Sequence, residues 1–329
     1  MLASEISSSK DSISPLSVSR LSAASGVSSG SNDSSGLILG RGGCGRAILK
    51  IDPETRQLLV EKRAHNDTLL GPRYMQVLKR EAEALGHLSH PNIINKLGHT
   101  GDARWCESII LEFGGVDLGR WSKLNSSHED AALLSRKKKQ KLLLKQVVEG
   151  LKYLHDQNLI HRDIKPQNIL VDAQLRARIC DFGELMELTE ENIFHQAGDT
   201  PEYRSPDQWT GAGWSPASDM WSFGCVMYHV LTGKDILPEL ANKTQFPMTL
   251  YLEEDDGVQA YYFEDKNELL GWIDFEIVRK VMGNVTDPQA KTLLLNLLSI
   301  DPGKRPPAGY LKAHPWFNVD RPEIQNYLP

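Results

Sequence analysis

Eight residues of the chain, His161-Arg162-Asp163-Ile164-Lys165-Pro166-Gln167-Asn168, hold an imidazole, two cations, a carboxylate and two carboxamides between the apolar flanks Leu159-Ile160 and Ile169-Leu170. The carboxylate and the amide are two kinds of metal or proton ligand, and a second carboxylate follows in Asp181-Phe182-Gly183. Such a cluster suits chemistry on a hydroxyl, with charge held close by. The expectation is that the remaining chain places a nucleotide above these residues, or a hydroxyl-bearing substrate beside them.

The elements that must position them are legible on both sides. Upstream stands Gly40-Arg41-Gly42-Gly43-Cys44-Gly45-Arg46-Ala47. Glycines at this spacing let backbone amides approach phosphates with no Cβ in the way, although a plain glycine turn has the same spacing. Ala47–Ile51 reads as a strand, residues 52–55 as a turn and Leu58–Lys62 as a second strand. A glycine hairpin between strands differs from the strand-to-helix turn of a dinucleotide fold, and the GK[ST] ending of a P-loop is absent. Lys62 lies late in its strand, placed to reach phosphates under the hairpin or to stand solvated. Residues 76–88 carry helical periodicity through Leu78, Leu85 and Leu88, with Glu81 and Glu83 both available to pair with Lys62. Ser108–Phe113 reads as a buried strand, and Gly114-Gly115-Val116-Asp117-Leu118 as a hinge. Strand signals dominate before it and helical ones after it. Lys141–His155 is an amphipathic helix that ends just before the central stretch.

With 40% hydrophobic and 24% charged residues, 329 residues suffice for one large two-lobed domain or two medium ones. A net charge of -6 does not indicate a nucleic-acid-binding surface. Four scattered cysteines without a CxxC pair argue against a disulfide scaffold or zinc site and suit a reducing compartment. No apolar run approaches the roughly 20 residues that cross a bilayer, and the N-terminus lacks a signal-peptide core. The expectation is a soluble protein of the cytoplasm or nucleus. Residues 1–36 are serine-dominated and too poor in apolar surface to fold, an inert tail or a regulatory arm with Ser14-Pro15 as a candidate phosphorylation site. Nothing in the sequence sets an oligomeric state.

Taken together, these motifs resemble the eukaryotic protein kinases over roughly residues 37–318. The matching set runs in order through Gly40/Gly42/Gly45, Lys62, Glu81, His161-Arg162-Asp163, Asn168, Asp181-Phe182-Gly183, Ser205-Pro206-Asp207, Asp219 and Asp301-Pro302-Gly303-Lys304-Arg305-Pro306. The resemblance implies an α+β, bilobal fold: a β-rich N-lobe over about 37–112, a hinge over about 112–118, a mainly helical C-lobe over about 119–318, and a tail from 319. It implies Mg²⁺-ATP as co-substrate. The glycine loop would cover the β and γ phosphates, Lys62 would bind the α and β phosphates with Glu81 as its ion-pair partner, and Asn168 and Asp181 would hold Mg²⁺. Ala47, Val60 and Leu170 would enclose the adenine, Glu112 would lie at the hinge, and Asp117 would serve ribose or a basic substrate residue. Asp163 would accept the hydroxyl's proton. Lys165 and Thr200, in patterns resembling the Ser/Thr-directed members, imply Ser/Thr hydroxyls of protein substrates. The alternatives are a pseudokinase acting as a scaffold and a small-molecule kinase of the same fold.

The resemblance also implies a scaffold: Asp219 bracing the catalytic loop, Asp207 paired with Arg305, and Leu85, His161 and Phe182 in an apolar column. Several positions depart from the family pattern. Val60 and Ala47 exchange sizes, Asp199 replaces a glycine, Asp207 keeps its carboxylate on a shorter stem, and a column position falls on Lys96, or on Leu97 after a one-residue slip. Arg162 implies a negative partner, either phosphorylated Thr189 or one of Glu184, Glu187, Glu190 and Glu191. The acidic run at 253–256 is an exposed loop or a docking patch for basic substrates.

Overall fold

The computed structural model describes residues 36–41, 45–64, 71–101, 106–125, 130–189, 200–241, 248–252, 259–263 and 266–318. The serine-rich segment before Gly36, Gly42, Glu190, Glu191, Asp199, the acidic run at 253–256 and the tail from 319 lie outside them. The chain divides into two compact units, Met1–Gln76 with Gly98–Phe113, and Val77–Leu97 with Gly114–Pro329.

The first unit is built on a five-stranded sheet of β1 (Leu37–Arg41), β2 (Gly45–Ile51), β3 (Leu58–Ala64), β4 (Lys96–Gly101) and β5 (Cys106–Glu112), ordered β1-β2-β3-β5-β4. Alternation along β3 separates two chemistries. Val60, opposite Leu49 and Leu111, is buried, and Lys62 shares its face, opposite Ala47 and Ile109. Glu61 points the other way and pairs with Lys50 and Arg63. Asp52 closes the β2–β3 turn by accepting from the Glu54 and Thr55 amides at 2.8 and 2.9 Å.

The chain passes into the second unit within α1 (Gly71–His87), which starts five residues before the expected Gln76. Gly71-Pro72 reads as a turn in sequence, yet proline is welcome in the first turn of a helix, where its missing N–H costs nothing. Then follow β6 (Val116–Asp117), α2 (Leu118–Leu124) and α3 (Asp130–Asp156). The last also starts earlier than expected, because Arg136-Lys137-Lys138-Lys139 hides its periodicity. The apolar face of α3, including Leu143, Leu144, Val147, Val148, Leu151 and Leu154, is fully buried. Next come β7 (Leu159–Ile160), β8 (Ile169–Val171), β9 (Ala177–Ile179), β10 (Met186–Glu187) and the short α4 (Pro206–Trp209). Helix α5 (Pro216–Thr232) is buried along most of its length and ends on Gly233, whose left-handed φ of 74° glycine adopts without strain. A hairpin of β11 (Met248–Leu252) and β12 (Gln259–Phe263) precedes α6 (Lys266–Asn284), α7 (Pro288–Leu297) and α8 (Ala308–Ala313). Among the described residues no helix is long and apolar enough to cross a membrane.

Candidate active site

Strands β6, β8 and β9 form a three-stranded sheet, with Leu170 opposite Asp117 on one side and Arg178 on the other. The loop from His161 to Asn168 enters this sheet at β8. Two backbone amides at its start are held by one carboxylate: His161 and Arg162 donate to Asp219 at 2.9 and 3.0 Å. Asp219 is 1% exposed, and burial pushes its carboxyl up. Hydrogen bonds and positive charge from His155, with the His161 amide, outweigh that and hold it below the usual range. Asp219 thus braces the loop as the resemblance implied.

Around Asp163 the bonds close on themselves. Thr200 Oγ1 donates to Oδ1 at 3.0 Å. Lys165 Nζ lies 2.7 Å from Oδ2 and 2.8 Å from Thr200 Oγ1. Asn168 Nδ2 donates to both the backbone oxygen and Oδ2 of Asp163 at 2.8 Å. The four expected residues therefore meet in one set. Because the Asn168 amide nitrogen is spent on Asp163, its oxygen is the atom left for other work. The Asp163 amide donates to His161 Nδ1 at 3.3 Å, so the Nε2 proton faces the Cys180 carbonyl, 3.1 Å away.

The second carboxylate, Asp181, sits in left-handed backbone, φ 65°. That conformation is uncommon for any residue with a Cβ, aspartate less so than most, and is retained where surroundings hold it. Its surroundings do: the Cys180 amide donates to Asn168 O at 2.9 Å, and the Phe182 amide to Glu81 Oε1 at 3.3 Å. Glu81 is 1% exposed, whereas the Glu83 carboxylate is solvated beside Lys79. Phe182 is buried edge-on to His161, with ring centroids 5.0 Å apart, and Leu85 is buried as expected. Leu97, however, is 56% exposed and fills no column position. Instead the Lys96 ammonium donates to the Ala82 carbonyl of α1 at 2.6 Å. Gly86 makes room for it, since a Cβ there would lie 3.2 Å from Nζ.

Asp117 caps α2, accepting from the Arg120 amide at 2.9 Å, with the Arg120 guanidinium 3.2 Å from its other oxygen. Gly115 needs its glycine: φ is 97°, and a Cβ would stand 2.0 Å from the Val171 carbonyl oxygen. A Cβ on Gly45, within the first unit, would collide with the Arg63 carbonyl oxygen at 2.2 Å, whereas at Gly40 it would meet nothing. Ala47, Val60, Lys62 and Glu112 all lie in the sheet of that unit.

The short stem of Asp207 is accommodated by hydroxyls. Ser205 and Ser218 donate to Oδ2 at 3.0 and 2.8 Å, and the fully buried Arg305 side chain meets Oδ1 at 2.6 Å. Arg305 also donates to Ser299 O and Ala217 O.

A polar cluster and a single indole escaped the sequence reading. Tyr203 donates to Asp235 at 2.6 Å, and His229 Nδ1 lies 2.8 Å from the same carboxylate, whose pKa the His229 bond lowers. No spacing rule links residues 32 and 6 positions apart in this way. The indole is Trp214. It lies under the Arg162 guanidinium, 4.7 Å from ring centre to Cζ, an interaction typically worth about 2 kcal/mol where desolvated. Arg162 Nη1 also meets Met186 Sδ at 3.2 Å. Burial lowers the guanidinium to about 10, while the charges of Glu184 and Asp219 oppose that and Arg204 adds to it. Of the candidate counter-charges, Glu184 is thus close enough to act, and Thr189 is exposed. The one sequence signal for Trp214 was an aromatic residue set just after two glycines, Gly211 and Gly213.

The fold and this loop define a phosphotransferase class, and the chain belongs to the protein kinase domain family, whose model matches residues 34–317. It is 28% identical over 303 residues to mitogen-activated protein kinase 10 of Arabidopsis thaliana, covering 87% of this chain and 74% of that one. It is 28% identical over 311 residues to mitogen-activated protein kinase 12 of Rattus norvegicus, covering 88% and 80%. Against the serine/threonine-protein kinase AtPK1/AtPK6 of Arabidopsis thaliana it is 25% identical over 302 residues, covering 89% and 57%.

Proposed function

We propose that this chain is an active Ser/Thr protein kinase that transfers the γ-phosphoryl group of Mg²⁺-ATP to Ser or Thr hydroxyls of protein substrates. The observation that carries the reading is the closed bond set of Thr200, Asp163, Lys165 and Asn168. Three donors fix both oxygens of the Asp163 carboxylate, so that it can orient an incoming hydroxyl and take its proton as the oxygen attacks the γ phosphorus. The bond to the bridging oxygen breaks and ADP leaves. Lys165, held between Asp163 and Thr200, offsets charge on the phosphoryl group in flight. The Asn168 amide oxygen and the Asp181 carboxylate are hard oxygen donors and fit Mg²⁺, which when bound neutralises phosphate charge. Lys62 is assigned to the α and β phosphates, and Gly40, Gly42 and Gly45 to the β and γ phosphates. Ala47, Val60 and Leu170 are assigned to adenine.

The test is radiolabel transfer from γ-labelled ATP to a general protein substrate, comparing wild type with Asp163→Ala and Lys62→Met. Each substitution should lower incorporation by about 10²-fold or more. Incorporation unchanged in both would mean a non-catalytic binding module instead.

A further inference from the structure

Arg162 directly precedes Asp163, and its own backbone is in the left-handed region, φ 72°. A bulky residue there is strained and must be held from outside. Asp219 holds its amide, but the side chain is seated elsewhere. One wall is Met186 Sδ, on a β10 that pairs with β7 through Met186 opposite Ile160. The other is the face of Trp214. Trp214 is delivered by a loop with two left-handed glycines, Gly211 at φ 74° and Gly213 at 95°, and is followed by the Ser215 cap of α5. The Ala212 amide, bonded to Asp207 O at 2.8 Å, pins that loop to the buried Asp207–Arg305 pair. Arg162, Asp163, Thr200, Arg204 and Trp214 then line one cavity of about 10 Å³, room for roughly one water. The seat of Arg162 and the residue Asp163 thus border the same space.

We propose that Trp214 is a positioning residue for phosphoryl transfer: its π face, with Met186, seats Arg162 and through it sets Asp163, so that no phosphate on the segment before Thr200 is needed for activity. The inference rests on the kinase reading. It follows from the chemistry of the wall. An indole face attracts a guanidinium through its quadrupole, and an aliphatic side chain of similar bulk does not. The charges of Glu184 and Asp219 also favour the guanidinium in this seat, and that of Arg204 opposes it.

The experiment compares Trp214→Phe, Trp214→Leu, Arg162→Met and the Trp214→Leu/Arg162→Met double variant in the full chain. It measures kcat, the KM for ATP and denaturation midpoints. Trp214→Leu should lower kcat about tenfold with the KM for ATP unchanged, and Trp214→Phe should recover most of the loss. The double variant should fall no further than Arg162→Met alone. Thr189→Ala should keep kcat within twofold of wild type. Four results would overturn the inference: leucine as good as phenylalanine, losses that multiply in the double variant, loss in the KM for ATP instead of kcat, or collapse of Thr189→Ala. If Trp214→Leu does not fold, the phenylalanine variant decides, since retained kcat supports the π-face seat and a tenfold loss rejects it. If wild type itself transfers no phosphate, the kinase reading fails separately. The seat is then judged by whether the denaturation effects of the Trp214 and Arg162 substitutions are non-additive.

Discussion

Among single residues, the sharpest claim concerns Arg305. Its side chain is fully buried, and Asp207 is its ion-pair partner among the described residues. Removing one partner of such a pair leaves the other charge buried and uncompensated, which typically costs about 3–5 kcal/mol. Arg305→Met should therefore lose stability on that scale in urea denaturation, even though methionine fills much of the volume. Asp207→Asn should lose stability on a similar scale, because it leaves the buried Arg305 guanidinium with no carboxylate opposite it, while Ser205 and Ser218 can bond only one of the two amide atoms. This pair was legible in sequence through the family pattern, as were Asp163, Asn168 and Glu81. The Tyr203–Asp235–His229 cluster was not, since its members are brought together by packing across 32 and 6 positions and carry no local spacing. Lys96 was legible only as a misfit, and its resolution needed the neighbouring glycine.

Elements were read well where periodicity was undiluted and poorly where charge or proline masked it. The strands β2, β3 and β5 were found within two residues of their ends, because alternating apolar positions meet a core on one face. The starts of α1 and α3 were missed by five and eleven residues, for the proline and the lysine run described above. Helix α3 also supports a test of packing against propensity. Gly150 lies mid-helix, where alanine normally gains about 0.8–1 kcal/mol. A Cβ there would stand 2.9 Å from Ile179 Cδ1 and 3.0 Å from the Asn92 carbonyl oxygen. Overpacking costs about 1–3 kcal/mol, and a backbone oxygen cannot swing aside. Gly150→Ala should thus destabilise on balance, by about 1 kcal/mol in denaturant midpoints, where a propensity argument predicts a gain.

For the molecule as a whole, titration bounds the pH range of stability. Asp219, Asp235 and Asp287 are all held below their ordinary values. Folded carboxyls with lowered pKa contribute stability above about pH 4 and lose it as pH falls through their folded values. Thermal melts should therefore drop below pH 4, with Asp235→Asn showing a shallower acid limb than wild type. At the other end, burial raises the Cys225 thiol far above its usual range, and the charge of Asp235 adds to this. Its contribution is full below the unfolded thiol's value near pH 9. Above that, the unfolded chain sheds a proton that the folded one keeps, and stability falls by up to about 1.4 kcal/mol per pH unit. Cys225→Ala should flatten the alkaline limb between about pH 9 and 10.

The contact of Lys96 with α1 also bears on which sequences can share this fold. A bare helix face at Gly86 admits the lysine's ammonium to the Ala82 carbonyl, and an alkyl group at 86 would crowd it. A side chain at 86 would require the lysine's end to give way by a few tenths of an ångström. Among homologues, a lysine at 96 should travel with glycine at 86, and chains with a larger residue at 86 should carry an uncharged one at 96. That pairing can be counted in any sufficiently deep collection of related sequences.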